Sequence, residues 1–117
     1  MSKVLRVGIA GYGVVGKRRH QFIDQNPSFQ TVAVCDTKLN NGILSNGVQA
    51  FSSPDDLLKE DIDVFFVSLP NFLAPGVTIS GLEHGCHVFC EKPPGRNIQD
   101  ILDVIATADE YPNAKLK

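Results

Sequence analysis

Three glycines near the amino terminus have the spacing of a phosphate-binding turn. Gly11, Gly13 and Gly16 form a Gly-x-Gly-x-x-Gly sequence directly after the apolar run 4–10. In such a turn the first glycine permits a tight bend, the second leaves room for a pyrophosphate, and the third allows close helix–strand packing. The helix predicted from Val14 to about Gln25 would offer its unpaired amides and positive dipole end to the pyrophosphate. The predicted contacts to this group are Gly11, Tyr12, Gly13, Val14, Val15 and Gly16.

An acidic residue follows the next apolar run. The segment 31–35 is a second predicted strand, and Asp36 follows it twenty residues after Gly16. In a dinucleotide-binding fold, a carboxylate here accepts hydrogen bonds from the adenosine ribose and repels a 2′-phosphate. We therefore predict NAD as the cofactor, with Asp36 and Thr37 beside the ribose, while Lys38 leaves NADP use open. An ordinary glycine-rich turn would explain the glycines, but not the order strand, glycines, helix, strand and acid.

Composition limits the class of protein. The chain has 117 residues, of which 43% are hydrophobic and 21% charged, so we expect one globular domain. A net charge of −2 offers no electrostatic footprint for nucleic acid or an anionic membrane. We expect a cytoplasmic protein, because the sequence has neither a signal-peptide pattern nor an apolar run of about eighteen residues. The basic cluster 17–19 is interpreted as a solvated helix face, with a nucleic-acid patch as the alternative and Lys17 or Arg18 near the cofactor phosphates as a subsidiary possibility.

Neither the cysteines nor the histidines have the spacing of a metal site. Cys35, Cys86 and Cys90 contain no C-x-x-C pair, so buried thiols are expected and no metal. Cys86 and Cys90 would bracket a strand about 13 Å apart, which is too far for a disulfide. The histidines lack metal-ligand spacing and are interpreted as structural or solvent-facing: His20, His84 and His87.

Predicted strands and helices alternate along the chain. The strands are expected at 4–10, 30–35, 48–51, 62–69 and 87–90. Helices are expected at 14–25 and 74–84, from Pro54 onward with Ser53 as the cap, and at 98–110 with Asn97 as the cap. The segment 37–47 is predicted to be a surface loop or a frayed helix, and 114–117 the start of a further strand. This alternation predicts an α/β fold, a doubly wound parallel sheet with helices on both faces in a single domain. The last helix should bury a stripe made of Ile98, Ile101, Leu102, Ile105 and Ala108.

Lys92 is the candidate for chemistry. It follows the strand 87–90, and ligands of open α/β sheets bind beyond the carboxyl ends of the strands, so Lys92 should point at the cofactor crevice. An ammonium there could hydrogen-bond a substrate hydroxyl and assist proton transfer. A surface lysine in a proline-rich loop is the alternative.

Two segments resemble a known family. Leu69-Pro70-Asn71 and the run 85–93, which ends in Glu91-Lys92-Pro93, resemble the nucleotide-binding half of the Gfo/Idh/MocA oxidoreductases. The resemblance spans essentially the whole chain and implies a Rossmann fold. It implies hydride transfer between nicotinamide and a hydroxyl-bearing carbon of a sugar, nucleotide sugar or cyclitol, with Lys92 assisting the proton. The implied cofactor contacts are Ser68, Leu69, Pro70, Asn71, Glu91, Lys92 and Pro93.

The resemblance carries further expectations. Glu91 would orient local structure or contact the nicotinamide ribose, and the Lys92–Pro93 bond would be cis. Family members often have a histidine where this chain has Ala74, which puts in doubt any contact assigned to that histidine. The family pairs this domain with a second, substrate-binding domain, so we expect a slightly truncated cofactor half of a longer, homo-oligomeric enzyme, with little turnover alone. The alternative is a non-catalytic dinucleotide-sensing module that acts through partners.

Overall fold

The computed structural model of the chain describes residues 3–92 and 94–117. Within these ranges the chain forms six strands and four helices. The strands are β1 (Leu5–Ala10), β2 (Phe29–Cys35), β3 (Gly42–Ile43), β4 (Gln49–Phe51), β5 (Val64–Val67) and β6 (His87–Cys90). The helices are α1 (Val14–Asp24), α2 (Pro54–Leu58), α3 (Ala74–Glu83) and α4 (Ile98–Glu110).

The strands form one sheet in the order β3-β4-β2-β1-β5-β6. β1 lies between β2 and β5, and both pairings are parallel, as are β2–β4 and β5–β6. The chain therefore winds outward from β1 in both directions, which confirms the predicted doubly wound α/β sheet. β3 is antiparallel to β4 and is the exception within the described ranges.

The segment 37–47 differs from its prediction, because it contains β3 and neither a helix nor a simple loop. Gly47 has a φ of 84°, which allows the tight turn between β3 and β4. The Asn46 side chain accepts a hydrogen bond from the Val48 amide at 3.1 Å, and the Leu44 amide donates to the Val48 carbonyl at 2.8 Å. These local bonds favour a hairpin over a helix.

The core consists of two layers on opposite faces of the sheet. Helices α2, α3 and α4 contribute Leu57, Leu82 and Val104 to one layer, which packs against Phe65 and Val67 of β5. The second layer includes side chains of β1 and β2, and α1 is the helix that covers it in the described chain. Helices on both faces are thus confirmed, and no described helix has the length and apolar composition that a membrane span requires.

The predicted stripe on α4 was wrong in its position. Ile98, Leu102 and Ile105 are 76%, 51% and 47% exposed, whereas Val104, which the prediction omitted, is buried. The helix turns the side of Val104 and Ala108 toward the core because α3 packs against it there. The apolar residues of α4 cover a broad arc of the helix, so the sequence did not define which part of that arc would be buried.

The carboxyl-terminal segment pairs with β6 where the start of a further strand was predicted. Leu116 forms a parallel bridge with Val88 of β6. The Val88 amide donates to the Lys115 carbonyl at 2.7 Å, and the Lys117 amide donates to the Val88 carbonyl at 2.8 Å. β6 is therefore paired on both sides over part of its length.

The three cysteines are free thiols. Cys35 and Cys86 are buried, whereas Cys90 is half-buried. Burial raises the pKa of Cys35 to about 12 and that of Cys86 to about 11. Both thiols are protonated at neutral pH and act as small apolar side chains of the core.

Two glycines of α3 provide a test of its packing. A Cβ at Gly81 would lie 2.6 Å from a Phe65 side-chain carbon and 3.0 Å from one of Val88, whereas a Cβ at Gly76 meets nothing within 4 Å. We expect Gly76→Ala to raise the free energy of unfolding by up to about 1 kcal/mol through helix propensity. Gly81→Ala should lower it, because overpacking costs about 1–3 kcal/mol. Urea denaturation followed by circular dichroism measures both, and equal stabilities would contradict the close packing of α3 on the sheet.

Candidate functional site

The parallel strands at the centre of the sheet end at the same level. Ala10 of β1 pairs with Cys35 of β2 on one side and with Val67 of β5 on the other. Val67 in turn pairs with Cys90 of β6. Because these strands are parallel and in register, the chain leaves all of them along one edge of the sheet. The residues that follow directly, called the edge row below, are Gly11, Asp36, Ser68 and Glu91.

Backbone hydrogen bonds hold the edge row in place. The Gly11 amide donates to the last carbonyl of β2 at 2.8 Å, and the Ser68 amide donates to the last carbonyl of β1 at 2.8 Å. The Glu91 amide donates to the last carbonyl of β5 at 2.9 Å. Since neighbouring strands are roughly 4.8 Å apart, Asp36 and Glu91 lie about 14 Å apart along this edge. The main chain thus fixes the spacing of side chains that are far apart in the sequence.

The three glycines of the turn have different surroundings. Gly11 has a φ of 91°, and a Cβ there would overlap the Ser68 carbonyl. A Cβ at Gly16 would overlap the Gly11 carbonyl, so this glycine lets α1 approach the turn. A Cβ at Gly13 meets nothing within 4 Å, and no side chain caps the start of α1. The structure therefore leaves open space beside the first amides of α1, which fits a pyrophosphate group.

Asp36 is joined to the glycine turn. Its Oδ1 accepts a hydrogen bond from the Lys38 amide at 3.0 Å, and its Oδ2 accepts one from the Tyr12 amide at 2.8 Å. These bonds, the one from Lys38 foremost, hold the pKa of Asp36 below its usual value although partial burial opposes them. An ionised carboxylate has about four acceptor positions, so two or so remain for a ligand hydroxyl pair. Thr37 beside it is exposed.

The Tyr12 side chain extends from the turn to the body of α1. Its hydroxyl lies 2.7 Å from Nδ1 of His20, and Nε2 of His20 lies 2.9 Å from Oδ2 of Asp24. His20 is only 7% exposed, in keeping with the structural role expected for it. Lys17 is exposed and places its Nζ 5.8 Å from the centre of the Tyr12 ring. This hydrogen-bonded chain of side chains holds the phosphate turn against α1.

Glu91 and Lys92 are directed to opposite sides of the sheet. Glu91 forms an ion pair with Arg19 of α1 and is 21% exposed. Lys92 is exposed and lies at a largely apolar groove of about 560 Å³ on the other side, between α3, α4 and the end of the chain. The groove is lined by Thr78, Cys90, Lys92, Pro94, Ile101, Val104, Ile105, Leu116 and Lys117. Lys17 and Arg18 of the basic cluster are exposed, as a solvated face requires, whereas Arg19 is half-buried and pairs with Glu91.

The loop after β5 continues the edge toward α3. Leu69 and Asn71 are half-buried, and Pro70 is exposed and accepts a hydrogen bond from the Ala74 amide at 3.0 Å. The Ser68 hydroxyl is buried and has no hydrogen-bond partner among the described residues. Phe72 is 58% exposed, and nothing in the spacing of the sequence marked this aromatic side chain.

The structure thus brings most of the predicted site residues to one edge. Gly11, Asp36, Ser68 and Glu91 form the row, with Tyr12–Gly16, Thr37 and Leu69–Asn71 adjoining it in the chain. Pro93, including its predicted cofactor contact and cis bond, lies outside the described residues. Sequence reasoning missed the role of Arg19, because its partner is 72 residues away. The described residues contain no group of three or more His, Cys, Asp or Glu side chains able to hold a metal ion.

A doubly wound sheet with a glycine turn before α1 and an acid after β2 defines a Rossmann-type dinucleotide-binding domain. A sequence model of the Gfo/Idh/MocA group, described as an oxidoreductase family with an NAD-binding Rossmann fold, matches residues 5–115. The chain belongs to this family and is an NAD-binding Rossmann domain.

Relatives of known or assigned activity are considerably longer than this chain. D-glucoside 3-dehydrogenase of Escherichia coli K12 is 35% identical over 113 residues, which cover 92% of this chain and 32% of that enzyme. The 2,7-anhydro-N-acetylneuraminate hydratase of Mediterraneibacter gnavus is 30% identical over 112 residues, which cover 93% of this chain and 30% of that enzyme. Scyllo-inositol dehydrogenase of Lactobacillus casei, solved with NAD(H) and scyllo-inositol, superposes with a TM-score of 0.85 at 27% identity. The superposition covers 98% of this chain and 36% of that enzyme. The chain therefore spans about a third of the length of the relatives it matches.

The charge of Asp36 gives the stability a pH dependence. A carboxyl whose pKa is lower in the folded state stabilises the protein above its unfolded pKa of about 3.9, and this contribution is lost as the pH falls through the folded value. We expect Asp36→Asn to be less stable than the wild type at pH 7, and the difference to shrink below about pH 4. Urea unfolding at several pH values measures this difference, with Asp109→Asn as the matched loss of one surface carboxylate. A difference that stays constant down to pH 2 would contradict the charged role of Asp36.

Proposed function

We propose that the edge row is the binding site for NAD in an oxidoreductase that acts on sugar-like alcohols. The observation that carries the proposal is the joint placement of an open phosphate turn, an ionised carboxylate and the Glu91–Lys92 segment along one register-matched edge. Bound NAD would supply the acceptor for a hydride. The residues of this chain would hold and orient it, and Lys92 would handle a proton.

The amino-terminal part of the row would hold the adenosine and pyrophosphate groups. The free carboxylate positions of Asp36 would accept hydrogen bonds from the ribose diol and would repel a 2′-phosphate, which favours NAD over NADP. Gly13 leaves the amides of Val14 and Val15 accessible, so they would donate to the pyrophosphate. The Tyr12–His20 contact would keep this turn in the shape that binds.

The other end of the row would hold the nicotinamide half. Ser68, Leu69, Pro70 and Asn71 leave β5 at this end, and the buried Ser68 hydroxyl without a partner offers a further polar group. Glu91 leaves β6 beside them, with its amide bound to β5. Pro93 would add to this end of the site, as the resemblance implies.

Lys92 would be the residue that moves the proton. Lys92 lies at the groove on the other side of the sheet, and its flexible four-carbon stem would turn across the edge to reach a substrate hydroxyl. There the ammonium would donate a hydrogen bond from Nζ, or the neutral amine would accept the hydroxyl proton. Support for a polyol substrate comes from relatives that are named as glucoside and inositol dehydrogenases. Contacts that select one polyol would come from a second domain, because the relatives are much longer than this chain. The 117-residue chain would then bind NAD with little turnover of its own.

Binding titrations test both the preference for NAD and the location of the phosphate site. We expect NADH to bind the 117-residue chain more tightly than NADPH in calorimetric titrations. Gly13→Ala should weaken NADH binding by roughly tenfold or more while leaving the unfolding midpoint unchanged, because the added methyl group enters the space meant for phosphate. Gly42→Ala, which also adds a methyl group to open space, is the matched control.

Two results would contradict this assignment. Tighter binding of NADPH than of NADH would show that Asp36 does not select the ribose. Unchanged affinity in Gly13→Ala would show that the phosphate groups bind elsewhere.

The role of Lys92 requires a form of the enzyme that turns over. We expect Lys92→Met to lower kcat by about 100-fold or more while NADH binding is retained, because positioned proton transfer contributes about 10²–10⁴-fold. Steady-state kinetics and a parallel NADH titration measure the two effects. Unchanged turnover would remove Lys92 from the reaction and favour a surface role.

A further inference from the structure

One ion pair connects α1 to the end of β6. The Arg19 side chain donates a hydrogen bond from Nε to the Glu91 carboxylate across 72 positions of the sequence. The two side chains are 39% and 21% exposed, so the pair is only partly in water. Glu91 is also held by its amide, which donates to the last carbonyl of β5. This residue is therefore anchored twice, once through its main chain and once through its side chain.

Aromatic packing places the guanidinium of Arg19. Its central carbon lies 5.5 Å from the centre of the Phe89 ring, within the range of a cation–π contact. Phe89 packs in turn on Phe66 of β5, with ring centres 5.2 Å apart. Phe89 and Glu91 are two residues apart in an extended segment, so both face α1. The guanidinium is thus held by a ring below it and a carboxylate at its edge.

Arg19 lies on the same helix as the open amides of the phosphate turn. The start of α1 provides the open amides beside Gly13, and Arg19 lies about 9 Å further along the same helix axis. The helix that would bind the pyrophosphate therefore also holds the residue directly before Lys92. A single rigid element can set the distance between the phosphate end and the nicotinamide end of the site.

We infer that Arg19 is a positioning residue for the nicotinamide end of the cofactor site, acting through Glu91 on the segment that carries Lys92. This inference rests on the proposed function of the edge row. Arg19 keeps the Glu91 carboxylate turned toward α1, and it adds a side-chain anchor to the segment from which Lys92 branches. Loss of Arg19 would free the Glu91 carboxylate and leave this segment with its main-chain anchor alone, whereas the phosphate turn and Asp36 would keep their own hydrogen bonds.

Two ligands separate this role from a general structural one. NADH and ADP-ribose share the adenosine, both phosphates and the second ribose, and only NADH carries the nicotinamide ring. We expect Arg19→Ala in the 117-residue chain to weaken NADH binding by roughly tenfold and to leave ADP-ribose binding within about twofold of the wild type. Arg19→Lys should restore part of the loss, because an ammonium can still pair with Glu91. Lys59→Ala removes the same charge from an exposed pair with Asp56 and should change neither affinity.

Calorimetric titrations of both ligands, at matched salt, decide between the outcomes. Equal weakening of NADH and ADP-ribose in Arg19→Ala, or no change in either, would overturn the positioning role. Should Arg19→Ala fail to fold, Glu91→Gln removes the charge of the partner with nearly the same shape and must show the same selective loss of NADH. If the wild-type chain binds ADP-ribose as tightly as NADH, the inference about Arg19 is overturned and the proposed function is not. Wild-type chain that binds neither ligand overturns the proposed function as well.

Discussion

The structure depends on the register of its central parallel strands. Ala10 of β1 lies between Cys35 of β2 and Val67 of β5. The residues that follow these strands are held by hydrogen bonds from their amides to the last carbonyls of neighbouring strands. Successive side chains of a strand point to opposite faces of the sheet. A shift of the strand pairing by one residue would therefore move each buried side chain to the other face and would also displace the edge row. The burial of Val7, Ile9, Val34 and Phe65 therefore stabilises the fold and the site together.

Helix α1 links the separate parts of the site. Its first turn faces the open space beside Gly13, His20 in its middle holds Tyr12, and Arg19 reaches Glu91. The helix can approach the turn this closely only because Gly16 has no side chain. In the described chain it is also the one helix on its face of the sheet, and its own Phe22 is 59% exposed. One short helix thus contacts both the glycine turn and the residue directly before Lys92.

Features with a local physical cause were predictable from the sequence. The glycine turn, the caps Ser53 and Asn97, and the alternation of strands and helices depend on neighbouring residues and were confirmed. Features decided by distant contacts were not. The buried side of α4 depends on α3, and the pairing of Arg19 with Glu91 depends on the course of the whole sheet. The hairpin in 37–47 was missed because its turn is formed by Asn46 and Gly47, residues equally common in loops.

The central claim is that the carboxyl edge of the sheet binds NAD, and amide chemical shifts in ¹H–¹⁵N spectra test it most directly. On titration with NADH, the account predicts that the largest shift changes occur at Gly11–Gly16, Asp36, Ser68 and Glu91, with little change at the groove residues Ile101, Val104 and Leu116. Changes confined to that groove, or none at saturating NADH, would contradict it.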